Sequence, residues 1–416
     1  TMVRRGALVC FLLCVSMVCC QTYDYAGTTQ LKGGSGSGGG TKVVLQDWKK
    51  RLDGGEVVSR AAVAGNGDII VGTLQGSVYR LNSTGAQIWK VYCGSIVGSP
   101  VVDGLDETIY FGSGDRKVWA LTKDGLTKWQ YETSKPIMST PLILPETTLS
   151  DGTVSQAGVV IGSLDGVIYK LHLDGSLAWH FVTVGQIRGG ASVTRDGGVV
   201  FGSTDHFLYK LHGSSGTLTW KYFAGQEITS KAVIQDVSIC FGTRQNSSPA
   251  RLIALKQDGS LRWQLNVSAS VEGDVIEDPR TATVYAATND GKIVAVAADG
   301  RQQWRYITGG AGGICGDYSK NEDEEASPSE NSHCSFSEIG AHGATSPCIV
   351  NGVLVTTSQN KMVYGLSLDG TMIWKHPTSK RIRSPPHCLS STDNFGAITT
   401  KVITASNDRH LYSLTI

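Results

Sequence analysis

The sequence predicts an all-β fold, an eight-bladed β-propeller of four-stranded antiparallel blades whose ring is closed by the N-terminal strand. Three observations carry this. A tryptophan recurs roughly every forty residues, a fixed Leu-x3-Gly-x3-Trp register precedes most of them, and period-two apolar runs alternate with Asp-Gly turns.

The tryptophan column is Trp48, Trp89, Trp129, Trp179, Trp220, Trp263, Trp304 and Trp374, with gaps of 41, 40, 50, 41, 43, 41 and 70 residues. The register reads Leu81–Gly85–Trp89, Leu121–Gly125–Trp129, Leu171–Gly175–Trp179, Leu255–Gly259–Trp263 and Leu366–Gly370–Trp374. Val296–Gly300–Trp304 substitutes valine, and Leu211–Gly216–Trp220 carries one extra residue. Within each module, Asp124-Gly125, Asp174-Gly175, Asp258-Gly259, Asp299-Gly300 and Asp369-Gly370 are tight hairpin turns that need positive φ. Alternation such as Val167, Tyr169, Leu171 marks a strand with one buried face. Apolar runs ending in a small turn, such as Ile109-Tyr110-Phe111-Gly112-Ser113, mark another. Ser99-Pro100, Thr140-Pro141 and Ser346-Pro347 start the innermost strands. Four short strands per forty residues make one blade, and the tryptophan on the outermost strand is placed to wedge between blades.

Seven complete modules end at Trp89 through Trp374, and three further strands follow without a fourth. The segment Val43 to Leu52, with Trp48, supplies that strand, giving eight blades and removing an exposed edge.

Composition sets the class. Of 416 residues, 40% are hydrophobic and 18% charged, 51 are glycine, and the formal charge is +1, so nothing calls for nucleic acid or an anionic membrane. Residues 1–20 read as a signal peptide, with Arg4 and Arg5 before an apolar stretch, Ala7 to Val18, that is too short to span a bilayer. Residues 21–42 are a Gly/Ser-rich linker and residues 43–416 the propeller. Sequons begin at Asn82, Asn246 and Asn266. Together these predict a secreted or lumenal, glycosylated, monomeric protein with no membrane span.

The motifs "GSLDGVIYKLHLDGSLAW" at 162–179 and "GSTDHFLYKLHGSSGTLTW" at 202–220 resemble the consensus of the pyrroloquinoline quinone (PQQ)-like repeat family, from about Val43 to Ile416. That family includes quinoprotein dehydrogenases, the non-catalytic propeller of the bacterial outer-membrane assembly machinery, and a propeller appended to aminoadipate-semialdehyde-type acyl-activating enzymes. The resemblance implies the fold strongly and the function weakly.

A quinoprotein dehydrogenase, as the resemblance implies it, holds Ca²⁺ under the quinone with an Asp base, a stacking Trp and a disulfide of adjacent cysteines. The adjacent pair here, Cys19 and Cys20, lies at the leader. Eight tryptophans belong to the docking column, and Trp119 fills the slot of Tyr79, Tyr169 and Tyr209 in other blades. The reading is therefore a non-catalytic protein- or ligand-binding scaffold without a cofactor or a metal. The alternative is a PQQ- and Ca²⁺-dependent dehydrogenase of alcohols or sugars. No Gly-x-Ser-x-Gly elbow, phosphate loop or His-Glu-x-x-His occurs.

In this family the ligand face is where each outer strand connects to the next inner strand. Arg188, Lys231, Glu272, Asp274, His342, Arg383 and His387 fall there, suited to a protein or peptide partner. The competing reading is solvated loop charge around a water-filled channel, and Glu272 with Asp274 is a weak metal pair. The module before Trp374 is longer than the others and holds the acidic run Glu322-Asp323-Glu324-Glu325. Cys315 and Cys334 flank that run as a candidate disulfide, with a less favoured zinc set of Cys315, His333, Cys334 and His342. Cys348 and Cys388 begin neighbouring inner strands and form a second candidate pair, while Cys240 reads as a buried thiol. The insertion Pro145 to Ala157 reads as a plain loop on the opposite face.

Overall fold

The computed structural model describes residues 44–149, 151–235, 238–246, 248–308, 314–316, 344–392 and 398–416. The leader, the linker, the acidic run, Cys334, His333, His342 and the side chain of Cys315 lie outside the described residues. Both the Cys315–Cys334 pairing and the zinc set therefore fall outside them as well. No helix among the described residues is long and apolar enough to cross a membrane.

Eight antiparallel sheets form the ring. Blade one runs Ala62–Val63, Ile69–Gly72, Ser77–Leu81 and Gln87–Tyr92, from the inside outwards. Blades two to seven span 101–132, 142–182, 192–223, 233–266, 276–307 and 348–377. Blade eight joins His387–Thr392, Ile398–Ser406 and His410–Thr415 to the N-terminal strand Leu45–Arg51. That strand pairs antiparallel with the C-terminal one, from Leu45 opposite Thr415 to Arg51 opposite His410. Closure pairs the edge that the C-terminal strand otherwise leaves open.

Burial follows from the stacking. Each blade is covered on both faces by its neighbours, so second strands such as Ile109–Gly112 and Val199–Gly202 are buried at every residue and read as continuous apolar runs. At the rim, the outer strands alternate instead, as in Thr127–Glu132.

A bulge recurs between the third and outer strands of every blade, just before the tryptophan. It rotates the following side chain towards the next blade. There the ring lies on the glycine of that blade's hairpin turn. Gly125 has φ of 82°, and a β-carbon on it meets the Trp89 ring at 3.0 Å. The indole N–H of Trp89 then donates to Lys123 O at 2.7 Å, and Trp129 donates to Leu173 O at 2.8 Å. Seven of the eight tryptophans make this bond, Trp48 to Ser83 O among them. Trp374 does not. Blade eight takes its outer strand from the other end of the chain, so it presents no such turn, and the buried Trp374 Nε1 has no hydrogen-bond partner.

That same boundary carries a disulfide, Cys348–Cys388, joining the inner strands of blades seven and eight with Cα atoms 6.1 Å apart. Cys93 and Cys240 are buried free thiols, each pushed up to about 12 chiefly by burial. The blade-three insertion is more than a plain loop. Thr147–Thr148 and Val154–Ser155 pair as a small hairpin, because a turn around Gly152 (φ 83°) reverses the chain between them. Blade six gains a fifth strand, Ile314–Gly316, where the long insertion begins.

Candidate ligand face at the mouth of the ring

Among the described residues, seven connections from an outer strand to the next inner strand begin with a buried aliphatic plug. Val57, Ile96, Ile137, Ile187, Ile228, Val271 and Ile382 are all at most 1% exposed. The plug sits against the small residue ending a second strand. A side chain on Gly112 collides with Ile137, and one on Gly162 collides with Ile187. With the plug anchored, the residue one place further on lines the mouth, and in all but the Ile228 connection so does the one three places on. All eight connections contribute to one basin of about 410 Å³, through Arg60, Ser99, Thr140, Arg188, Thr229, Asp274, Ser346 and Arg383 among others.

The predicted face residues separate on this geometry. Arg188, Glu272, Asp274 and Arg383 line the basin. Lys231 sits in the same connection as Thr229 but is not part of the lining. His387 stands at the start of the blade-eight inner strand, hydrogen-bonded to the Ala61 backbone. Burial first, and then the Arg60 charge, push its pKa down to about 4. It is therefore a neutral packing group between blades one and eight. Two charged lining residues escaped the sequence reading, Arg60 and Arg244. A signal for Arg60 was present. It stands three residues after the plug Val57, as Asp274 stands three after Val271.

The charges are partly spent on one another. Arg244 bridges Glu227 and Glu272, both at 3.2 Å. Arg188 points its Nε and Nη2 at Gln186 Oε1, at 3.0 and 2.8 Å, and so keeps its full charge. Arg60 Nη1 is 3.9 Å from Asp274, across the basin. Four arginines against two carboxylates leave the lining positive. Because both carboxylates are engaged by arginine, they make a poor metal pair. A second polar groove of about 410 Å³ continues outward over blades three to five, sharing Arg188 and Arg244 and adding Lys135, Asp165 and Glu227.

Other chemistry-bearing groups serve the fold. Tyr169 and Tyr209 donate to Asp165 and Asp205 at 3.0 and 2.8 Å, and Trp119 donates to Asp115 at 3.2 Å from the same slot. On the opposite face, His212 Nε2 lies 2.9 Å from Asp151 Oδ2, and Ser214 Oγ lies 3.0 Å from its Nδ1. The partners are those of a triad, but Asp151 is exposed and the serine belongs to the histidine's own hairpin turn. The network locks a turn, and none of its residues lines a pocket among the described residues. Asn246 and Asn266 are exposed, whereas Asn82 is half-buried and its side-chain oxygen accepts from Thr84 and Ala86 within the turn that receives Trp48.

A closed ring of eight antiparallel blades, with its mouth built from inter-blade connections, is an eight-bladed β-propeller. The family model described as outer membrane protein assembly factor BamB matches residues 36–163, 164–313 and 232–409. The chain belongs to that family. Among solved structures, BamB from Moraxella catarrhalis is similar at 16% identity and TM-score 0.65, covering 90% of this chain and 100% of that one. The computationally designed Ika8 protein is similar at 13% and 0.63, and Sqt1 from Saccharomyces cerevisiae at 13% and 0.66, each covering 88% of this chain and 98% of the other. At these identities the likeness shows the fold alone. A search among curated proteins finds no sequence match.

Proposed function

We propose that this chain is a secreted or lumenal, non-catalytic scaffold that binds a protein or peptide partner on the mouth of its ring. The observation that carries this reading is the basin, polar and positive, to which all eight inter-blade connections contribute. Membership of the family described as an outer membrane protein assembly factor supports a binding role. The Cys348–Cys388 disulfide supports an oxidising compartment.

The proposal includes no quinone. A quinone site needs an aromatic floor and unengaged oxygen ligands for calcium. Here Trp119 is stacked on Phe111 inside a blade, and Glu272 and Asp274 face arginines. Incubation with PQQ and Ca²⁺ followed by gel filtration tests this part, and quinone absorbance that stays with the protein overturns it. For the binding role, the immobilised chain is used to capture partners from a secretory-pathway extract. A specific partner is expected to be lost on the Arg188→Glu, Arg383→Glu double reversal and kept on Arg262→Glu, an exposed rim position. A partner insensitive to the double reversal removes the mouth from this role.

A further inference from the structure

One arginine of the mouth holds an unused recognition edge. Nε and Nη2 of a guanidinium form the side-on fork that matches the two oxygens of a carboxylate. This chain uses that edge elsewhere. Arg280 directs Nε to Asp278 Oδ1 at 3.0 Å and Nη2 to Asp278 Oδ2 at 3.3 Å. Arg188 spends the same edge on Gln186. On Arg60, both Nε and Nη2 are buried and have no hydrogen-bond partner among the described residues. Its nearest carboxylate, Asp274, faces Nη1 instead, at 3.9 Å, beyond hydrogen-bond range.

The surroundings repeat the pattern. Ser59 is 3% exposed, lines the same basin, and its Oγ has no partner. Thr229 Oγ1, on the lining from blades four and five, is likewise unpartnered. Buried donors without acceptors are costly, and a charged one most of all. Three side chains lining one positive basin from two sides therefore hold buried donors with no acceptor among the described residues.

We propose that the Arg60 fork, with Ser59 and Thr229, is a carboxylate-binding subsite in the mouth of the ring, and that it anchors an acidic side chain or the C-terminal carboxylate of a bound peptide. This rests on the partner-binding reading above and gives it a chemistry. A polyanion fits less well, since Glu272 and Asp274 stand in the same lining and repel extended negative charge. The side chain of Arg60 is 27% exposed while its fork is covered, so engagement involves a rotamer change of Arg60.

The test is fluorescence anisotropy on the full chain with a labelled Gly-Gly-Glu-Glu peptide, its C-terminal amide, and the Gln-Gln analogue with and without the amide. Binding is expected for the Glu-Glu peptide and absent for the amidated Gln-Gln one, and the two mixed probes assign the anchor to side chain or C-terminus. Arg60→Lys keeps the charge and loses the fork, and should weaken binding by about tenfold or more. Asp274→Asn removes the competing carboxylate and should tighten binding, which a misfolded variant does not do. Arg262→Gln should change nothing. Equal affinity of wild type and Arg60→Lys, or equal binding of all four peptides, overturns the subsite. If a captured partner survives that result, the scaffold reading stands without it. Arg60-dependent peptide binding with no partner captured sinks the scaffold reading and leaves the subsite.

Discussion

An indole that both fills a gap and donates a hydrogen bond does two separable things, and the ring contains a natural control for them. Trp129 is bonded to Leu173 O, whereas the buried Trp374 has no partner for its N–H. Phenylalanine at either position removes a similar area of ring. Trp129→Phe should therefore cost about 1 kcal/mol more than Trp374→Phe, the difference being one hydrogen bond. Urea denaturation of the two variants measures it, and equal losses contradict the docking account. The thiols give a second residue-scale expectation. Cys93 and Cys240 are buried, with ionisation pushed up to about 12, so iodoacetamide should leave both unmodified until the ring unfolds. Peptide mapping with and without denaturant decides this. At this scale the tryptophans were legible because they repeat in sequence. Arg60 was not, because its unpaired edge depends on where Asp274, five blades of chain away, places its carboxylate.

At the scale of the element, a blade is a meander pinned at two ends, by an aliphatic plug at the mouth and, everywhere but at Trp374, by a tryptophan on the far hairpin turn. The innermost strand of blade eight adds a titrating group to this. His387 is held neutral down to about pH 4, and His376, on the outer strand of blade seven, is shifted down by burial as well. A histidine near 6.5 when unfolded and lower when folded binds its proton in the unfolded chain first. Stability is thus complete above about pH 6.5 and falls as the pH drops towards 4. His387→Gln should flatten the loss in that window, by roughly 1–3 kcal/mol at pH 4 relative to pH 7. Denaturant midpoints at pH 7, 6, 5 and 4 provide the check, and an unchanged pH slope refutes the assignment. The turns and alternating strands of these elements were legible from Asp-Gly and period two. The plugs were harder to see, since one isoleucine in a short loop carries no periodicity and its burial comes from the neighbouring blade.

Across the whole molecule, the boundary between blades seven and eight is built differently from the others. It lacks the indole-to-turn bond, because the two outermost strands of blade eight are not joined by a hairpin that could receive Trp374. The disulfide Cys348–Cys388 crosses that boundary, closing 40 residues of chain. In the chain-entropy account such a loop contributes about 4 kcal/mol. Cys388→Ser should accordingly lower the urea midpoint by more than reductant lowers it in that variant, and deletion of residues 44–52 should open the edge of His410–Thr415 to self-association. Analytical ultracentrifugation reads the second outcome, and a monodisperse monomer after deletion contradicts the closure.

The sequence by itself determined the repeat, the count of eight blades and the closing strand. Each of these is written in local spacing, and spacing survives in one dimension. Tertiary structure decided which charges meet. It brought Arg60 and Asp274 to opposite sides of one basin, gave Arg244 to Glu227 and Glu272, and drew His387 into the wall between two blades. Charge pairing around a ring axis joins residues that are distant in sequence, so only the closed ring specifies it.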